Sequence, residues 1–198
     1  VRQEDESFTM CVNAEPWEFS GDKLWYPRYT PEGRLTVLAQ TDGEWTLVVD
    51  GEPWPEQYAY TWDTRFSVDG SVIATTIQQD GQYGMCVDGA PWESLFENAN
   101  QTTISADGKH TAAVIQTVNM KPADLAAFRA GVFTVAVDGE VWGETFMNAW
   151  TPTFSPDGGT LYFSDSHPTV QTIWACDFDL VTGTPGAPGT GEEPIATP

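Results

Sequence analysis

The stretch Phe133-Thr134-Val135-Ala136-Val137-Asp138-Gly139-Glu140-Val141-Trp142, followed by Phe146, Trp150 and the turn Phe154-Ser155-Pro156-Asp157-Gly158, decides how the chain is read, because most of the remainder repeats it. VVDGEPW runs up to Trp54, CVDGAPW from Cys86 to Trp92, and a looser CVNAEPW from Cys11 to Trp17. The terminal turn recurs as Glu32-Gly33, Asp69-Gly70 and Asp107-Gly108.

The register is regular. Trp17, Trp54, Trp92 and Trp142 stand 37, 38 and 50 residues apart, and each is followed eight residues later by Trp25, Trp62, Asn100 or Trp150. A further eight residues lead to Gly33, Gly70, Gly108 and Gly158. A fixed period in this range signals a solenoid, an array or a propeller. The longer third spacing marks an insertion at about 117–130, where Pro122 and the helix formers after it predict one or two helical turns capping a blade edge.

Within a unit the pattern reads as four short strands. The first enters the Asp-Gly turn, as at Thr64 to Ser67, and the second leaves it rich in β-branched residues, as at Ser71 to Ile77. Asp42-Gly43 and Asp80-Gly81 supply the positive φ angles of tight hairpins. The third strand and then the Pro-Trp segment, with Tyr58, Phe96 or Phe146 behind it, complete the unit. The fold class expected is all-β, a β-propeller-like array of four-stranded antiparallel blades, about four to five units in this chain. The chain opens and closes inside a unit, with four first strands and five third strands, so ring closure within this chain and membership of a longer ring both stay open. Repeats are expected over 1–183 and a Pro- and Gly-rich extended tail over 184–198.

Nine tryptophans are mainly a property of that repeat, since seven fall on its marked positions. The second tryptophan of each unit is expected to precede the first strand and to pack between blades. Exposed edges of Trp17, Trp54, Trp92 and Trp142 are the candidate partner contacts, because a rim tryptophan can anchor a partner. The competing reading is that these rings pack onto their own blades.

A net charge of −21, from 29 acidic and 8 basic residues, disfavours nucleic acid and anionic membranes. It leaves a well-solvated surface or docking onto a basic partner. The three cysteines do not form a disulfide framework; Cys11 and Cys86 occupy equivalent positions and are expected to be buried free thiols, a mild sign of a reducing compartment. No apolar run reaches spanning length and no signal-peptide pattern opens the chain, although it begins at Val1.

No catalytic, cofactor-binding or metal site is expected. His110 and His167 lie in different units, and no serine or cysteine has a neighbour that would activate it. Asp69, Asp107 and Asp157 build their own turns, although a ring of such carboxylates is also the type of oxygen donor set that takes Ca²⁺.

The repeated VDGEPW, the FxNAW behind it and the FSPDG turn resemble the tryptophan-rich D subunit of the Tmc transmembrane redox complex, over residues 9–163. The resemblance implies an accessory subunit without its own cofactor, cytoplasmic and held at the membrane by haem and iron–sulfur protein partners. Asn13-Ala14 and Asn100 depart from the motif. The stretch from Ser155 to Gly183 resembles a blade of the sugar-lactone lactonase (gluconolactonase) propellers. There Trp150 stands where that family has an asparagine metal ligand, and the family's catalytic aspartate falls past this region, so no catalytic residue carries over. The expectation is a non-catalytic protein-binding propeller; the alternatives are a metal-dependent lactonase-like hydrolase and, if a leader is missing, a periplasmic ligand- or peptide-binding propeller.

Overall fold

The computed structural model describes residues 1–3, 6–119, 125–166, 171–179 and 184–185, the last two stretches through their backbone. The expected all-β, propeller-like array is what it shows. Near the N-terminus β1 (Cys11–Val12) pairs with β2 (Glu15–Pro16). Four antiparallel four-stranded sheets follow in chain order. The first contains β3 (Lys23–Tyr29), β4 (Leu35–Thr41), β5 (Glu44–Val49) and β6 (Glu52–Pro53), and the second β7 (Tyr60–Phe66), β8 (Ile73–Gln79), β9 (Gln82–Val87) and β10 (Ala90–Pro91). The third has β11 (Asn98–Ile104), β12 (Thr111–Gln116), β13 (Phe133–Val137) and β14 (Glu140–Val141), with helix α1 (Leu125–Ala130) inserted between β12 and β13. The fourth has β15 (Ala149–Phe154), β16 (Thr160–Ser166), β17 (Gln171–Asp179) and β18 (Thr184–Pro185).

Strand order within each sheet follows the chain, so every blade is a meander held by three hairpins. The two middle strands carry the core: β4, β8 and β12 are each a run of five consecutive buried residues, because neighbouring sheets cover both of their faces. The outer strand has only two ladder residues, and the chain re-engages the sheet through the bridges Trp45–Tyr58, Tyr83–Phe96 and Phe133–Phe146. Short outer strands flanked by exposed glutamates such as Glu52, Glu56, Glu140 and Glu144 blunt the blade edge against pairing with another chain.

The repeated Asp-Gly-x-x-Trp segment, with Pro53 or Pro91 before the tryptophan in two copies and Val141 in the third, is the joint between blades. Asp50, Asp88 and Asp138 each accept from the amide opening the second strand of their own sheet, Leu35, Ile73 and Thr111, at 2.7, 2.9 and 2.7 Å. The glycine behind each aspartate has a φ near +90°, and the tryptophan of the preceding unit lies on it. A Cβ at Gly51 would stand 3.2 Å from Trp17 Cγ, one at Gly89 3.6 Å from Trp54 Cγ, and one at Gly139 3.3 Å from Trp92 Cβ. Glycine is required there for its φ and for the approach of the ring. Trp92 Nε1 also donates to Thr111 Oγ1 of the next blade at 3.0 Å.

These joints correct two expectations. Trp92 and Trp142, 7% and 5% exposed, have no free edge to offer a partner, because their area is used between blades; Trp17 and Trp54 keep part of theirs. The second tryptophans do not precede the first strand: Trp25, Trp62 and Trp150 lie within β3, β7 and β15. Trp25 is 68% exposed instead of packed between blades.

Cys86 is a buried free thiol, but its counterpart Cys11 is exposed: β1 pairs with β2 in a two-stranded sheet, whereas Cys86 lies on an inner strand of a four-stranded one. The insertion supplies α1 as one short helix; Pro122 and His167 lie outside the described residues, as does the tail after Pro185. Among the described residues no helix is long and apolar enough to cross a membrane.

Candidate functional site

The first strand of every blade carries the same irregularity. The pairing with its neighbour slips between Trp25 and Arg28, Trp62 and Arg65, Asn100 and Thr103, and Trp150 and Thr153. In the first three the residue after the marked position has a left-handed backbone: Tyr26 at φ 53°, Asp63 at 54° and Gln101 at 50°. A β-bulge of this kind adds a residue to one strand and re-aims its side chain. For a residue as bulky as tyrosine the left-handed region costs about 1 kcal/mol or more.

The three bulges converge on one open cavity of about 710 Å³. Trp25 and Tyr26 come from the first blade, Tyr60, Thr61, Trp62 and Asp63 from the second, and Asn100 and Gln101 from the third. Trp45, Leu38 and Thr76 close it. Trp25 and Tyr60 remain 68% and 62% exposed. Trp62 is held edge-on against Tyr83, centroids 6.0 Å apart.

The mouth is cross-braced between blades. Arg28 donates from Nη1 to the Thr64 carbonyl, and its guanidinium lies 5.5 Å from the Tyr26 ring centre and 4.7 Å from that of Phe66. Asp63 Oδ2 accepts from Thr102 of the third blade at 2.9 Å and from Arg65 at 3.0 Å. A site of this size, mostly apolar and aromatic with a few placed polar groups, has the character of a binding pocket.

The acidic turns are committed elsewhere. Asp69, Asp107 and Asp157 each accept on Oδ1 from the serine two residues before, Ser67, Ser105 and Ser155, and from the amide two residues after. Their carboxyls are held below the usual range, for Asp69 and Asp157 by that serine first and for Asp107 by Lys109 and then Ser105. Among the described residues no three His, Cys, Asp or Glu side chains gather to hold a metal. His110 Nδ1 lies 2.7 Å from Asp138 Oδ2, on the outside of a blade joint.

The residue after the marked position escaped the sequence reading, yet a signal for it exists. It differs in every unit, Tyr26, Asp63, Gln101 and Thr151, where the joint residues around it repeat.

No family model and no curated protein sequence matches the chain. Solved structures similar to it have propeller folds of the TolB and 6-phosphogluconolactonase types. TolB from Acinetobacter baumannii is 17% identical, with a TM-score of 0.44, covering 81% of this chain and 42% of its own. A protein described as TolB from Agrobacterium tumefaciens is 19% identical, with a TM-score of 0.40, over 91% of this chain and 64% of its own. A protein assigned as a 6-phosphogluconolactonase, from Bacteroides fragilis, is 14% identical, with a TM-score of 0.44, over 93% and 61%. The chain thus spans less than two thirds of the length of these three.

Proposed function

We propose that the chain is a non-catalytic, protein-binding propeller that docks its partner at the aromatic mouth, as an accessory subunit of a membrane-associated redox complex. The observation that carries the docking is the exposure of Trp25 and Tyr60, 68% and 62%, beside a cavity floored by Trp45 and Trp62. Large aromatic side chains left in water around a concavity are the usual anchors of a partner. They replace Trp92 and Trp142 as the contacts of choice, while Trp17 and Trp54 contribute what their blade joints leave uncovered.

The redox-complex setting draws its support from the repeat resemblance over 9–163, and it names haem or iron–sulfur proteins as partners on the cytoplasmic side. A lactonase-like reading draws less support. Trp150 occupies the position of a metal ligand, and the turn aspartates are bonded into their own turns.

The test is a tagged pull-down from solubilised native membranes, with mass spectrometry and a haem absorption scan of the eluate. Co-purifying cytochrome or iron–sulfur subunits, lost from a Trp25→Ala variant, are expected. A colourless protein without partners overturns the accessory-subunit role, and hydrolysis of simple lactones on addition of Ca²⁺ would replace it with the enzymatic one.

A further inference from the structure

We infer that the partner is read through one lysine or arginine side chain, received in the aromatic cavity between the bulges of β3, β7 and β11. The inference rests on the docking role proposed above and adds the chemistry that the mouth recognises.

Five rings line the cavity, those of Trp25, Tyr26, Trp45, Tyr60 and Trp62. Aromatic rings carry negative charge density on their faces, to which an ammonium or guanidinium is drawn, tryptophan most strongly. The wall demonstrates this affinity, since Arg28 already lies over Tyr26 at 5.5 Å and over Phe66 at 4.7 Å. Among the described residues lining the cavity itself, Asp63 carries the charge, with Arg28 standing beside Tyr26. Thr102 and Arg65 both bond its Oδ2, and neither takes Oδ1.

One more observation points to a guest. The bulges hold Tyr26 and Gln101 in a strained left-handed backbone, and both line the cavity.

Charge selects the kind of guest. The chain carries −21, with 29 acidic against 8 basic residues, so its field gathers a basic segment and repels an acidic one. A lysine or arginine also brings a long aliphatic stem that packs along indole faces while its head meets the polar groups of Asp63, Asn100 and Gln101. A free small cation lacks that stem and the flanking charges.

The experiment uses the full chain and its Trp25→Ala variant, with thermal midpoints compared first; the exposure of Trp25 leads us to expect them equal. Calorimetry and tryptophan emission follow titration with decapeptides alternating glycine with lysine, arginine or norleucine, and with choline chloride and cellohexaose. The lysine or arginine peptide is expected to bind, the norleucine peptide not. Trp25→Ala should weaken binding about tenfold or more, and raising salt from about 0.05 to about 0.5 M should weaken it in both proteins. Equal binding by parent and variant would reduce the effect to net charge and overturn the inference. So would equal binding of the norleucine peptide, or a response to choline or cellohexaose alone. Should Trp25→Ala unfold, Trp62→Phe replaces it with the same expectations. Partners recovered from membranes without peptide binding sink this inference and leave the docking role; Trp25-dependent peptide binding without recovered partners does the reverse.

Discussion

At the scale of single residues, the left-handed glycines and the blade-joint tryptophans set the terms. Gly70 has a φ of 82°, and a Cβ there would stand 2.6 Å from the backbone nitrogen of Glu32 in the preceding unit. Gly70→Ala therefore meets backbone strain and a clash with rigid main chain together, and should destabilise by about 2 kcal/mol or more in urea unfolding. Trp92→Phe keeps a ring at the joint but removes the 3.0 Å donation to Thr111, with an expected loss of about 1 kcal/mol. Tyr26 is the opposite kind of residue, since its φ of 53° suits glycine better. Tyr26→Gly should leave the thermal midpoint unchanged or raised while weakening partner binding, the pattern of a strained residue kept for contact. Burial pushes the Cys86 thiol up to about 11, whereas Cys11 is exposed. Alkylation of the native protein at pH near 8, mapped by mass spectrometry, should label Cys11 and reach Cys86 only after unfolding.

At the scale of the element, the Ser-x-Asp-Gly turns are where a response to acid is expected. The folded-state pKa of Asp69, Asp107 and Asp157 is lowered, by the serine hydroxyls at the first and last and by Lys109 ahead of Ser105 at the middle one. A carboxyl held below its unfolded value contributes stability above that value, about 4, and loses the contribution as pH falls further. Urea midpoints should therefore drop below about pH 4, and Asp69→Asn with Asp157→Asn should flatten the drop. A midpoint that fell equally in the double variant would assign the acid sensitivity to other carboxylates.

The turns, the middle strands and the outer-strand position were all legible in the sequence, because each is written in a local pattern: Asp-Gly pairs, β-branched runs, the Pro-Trp segment. The cavity was not. Its walls come from Trp25, Trp62 and Asn100, in three units, and the bulges that aim their neighbours inward leave no composition signal in any one of them. The same local grammar misled in assigning the two tryptophan series. Spacing marks Trp17, Trp54, Trp92 and Trp142 as equivalent, but only the glycine on the next blade shows that the first three face it. Cys11 follows the same logic, matching Cys86 in sequence but lying in a two-stranded sheet where Cys86 lies inside a four-stranded one.

At the scale of the whole molecule, blades stack through the same small joint, so stability should spread along the array and not reside in one central core. The acidic surface adds long-range attraction for basic partners without choosing among them, and the aromatic mouth adds the choice. Recovery of partners from membranes should accordingly fall with rising salt and with loss of Trp25. What the sequence determined by itself was periodicity, strand order, turn chemistry and net charge, since these depend on residues close together or merely counted. What the tertiary structure alone decided was which tryptophans are covered and which stand open. That depends on the neighbouring blade, because a ring is buried or exposed by what lies across from it, and in a repeat protein that surface belongs to the next unit.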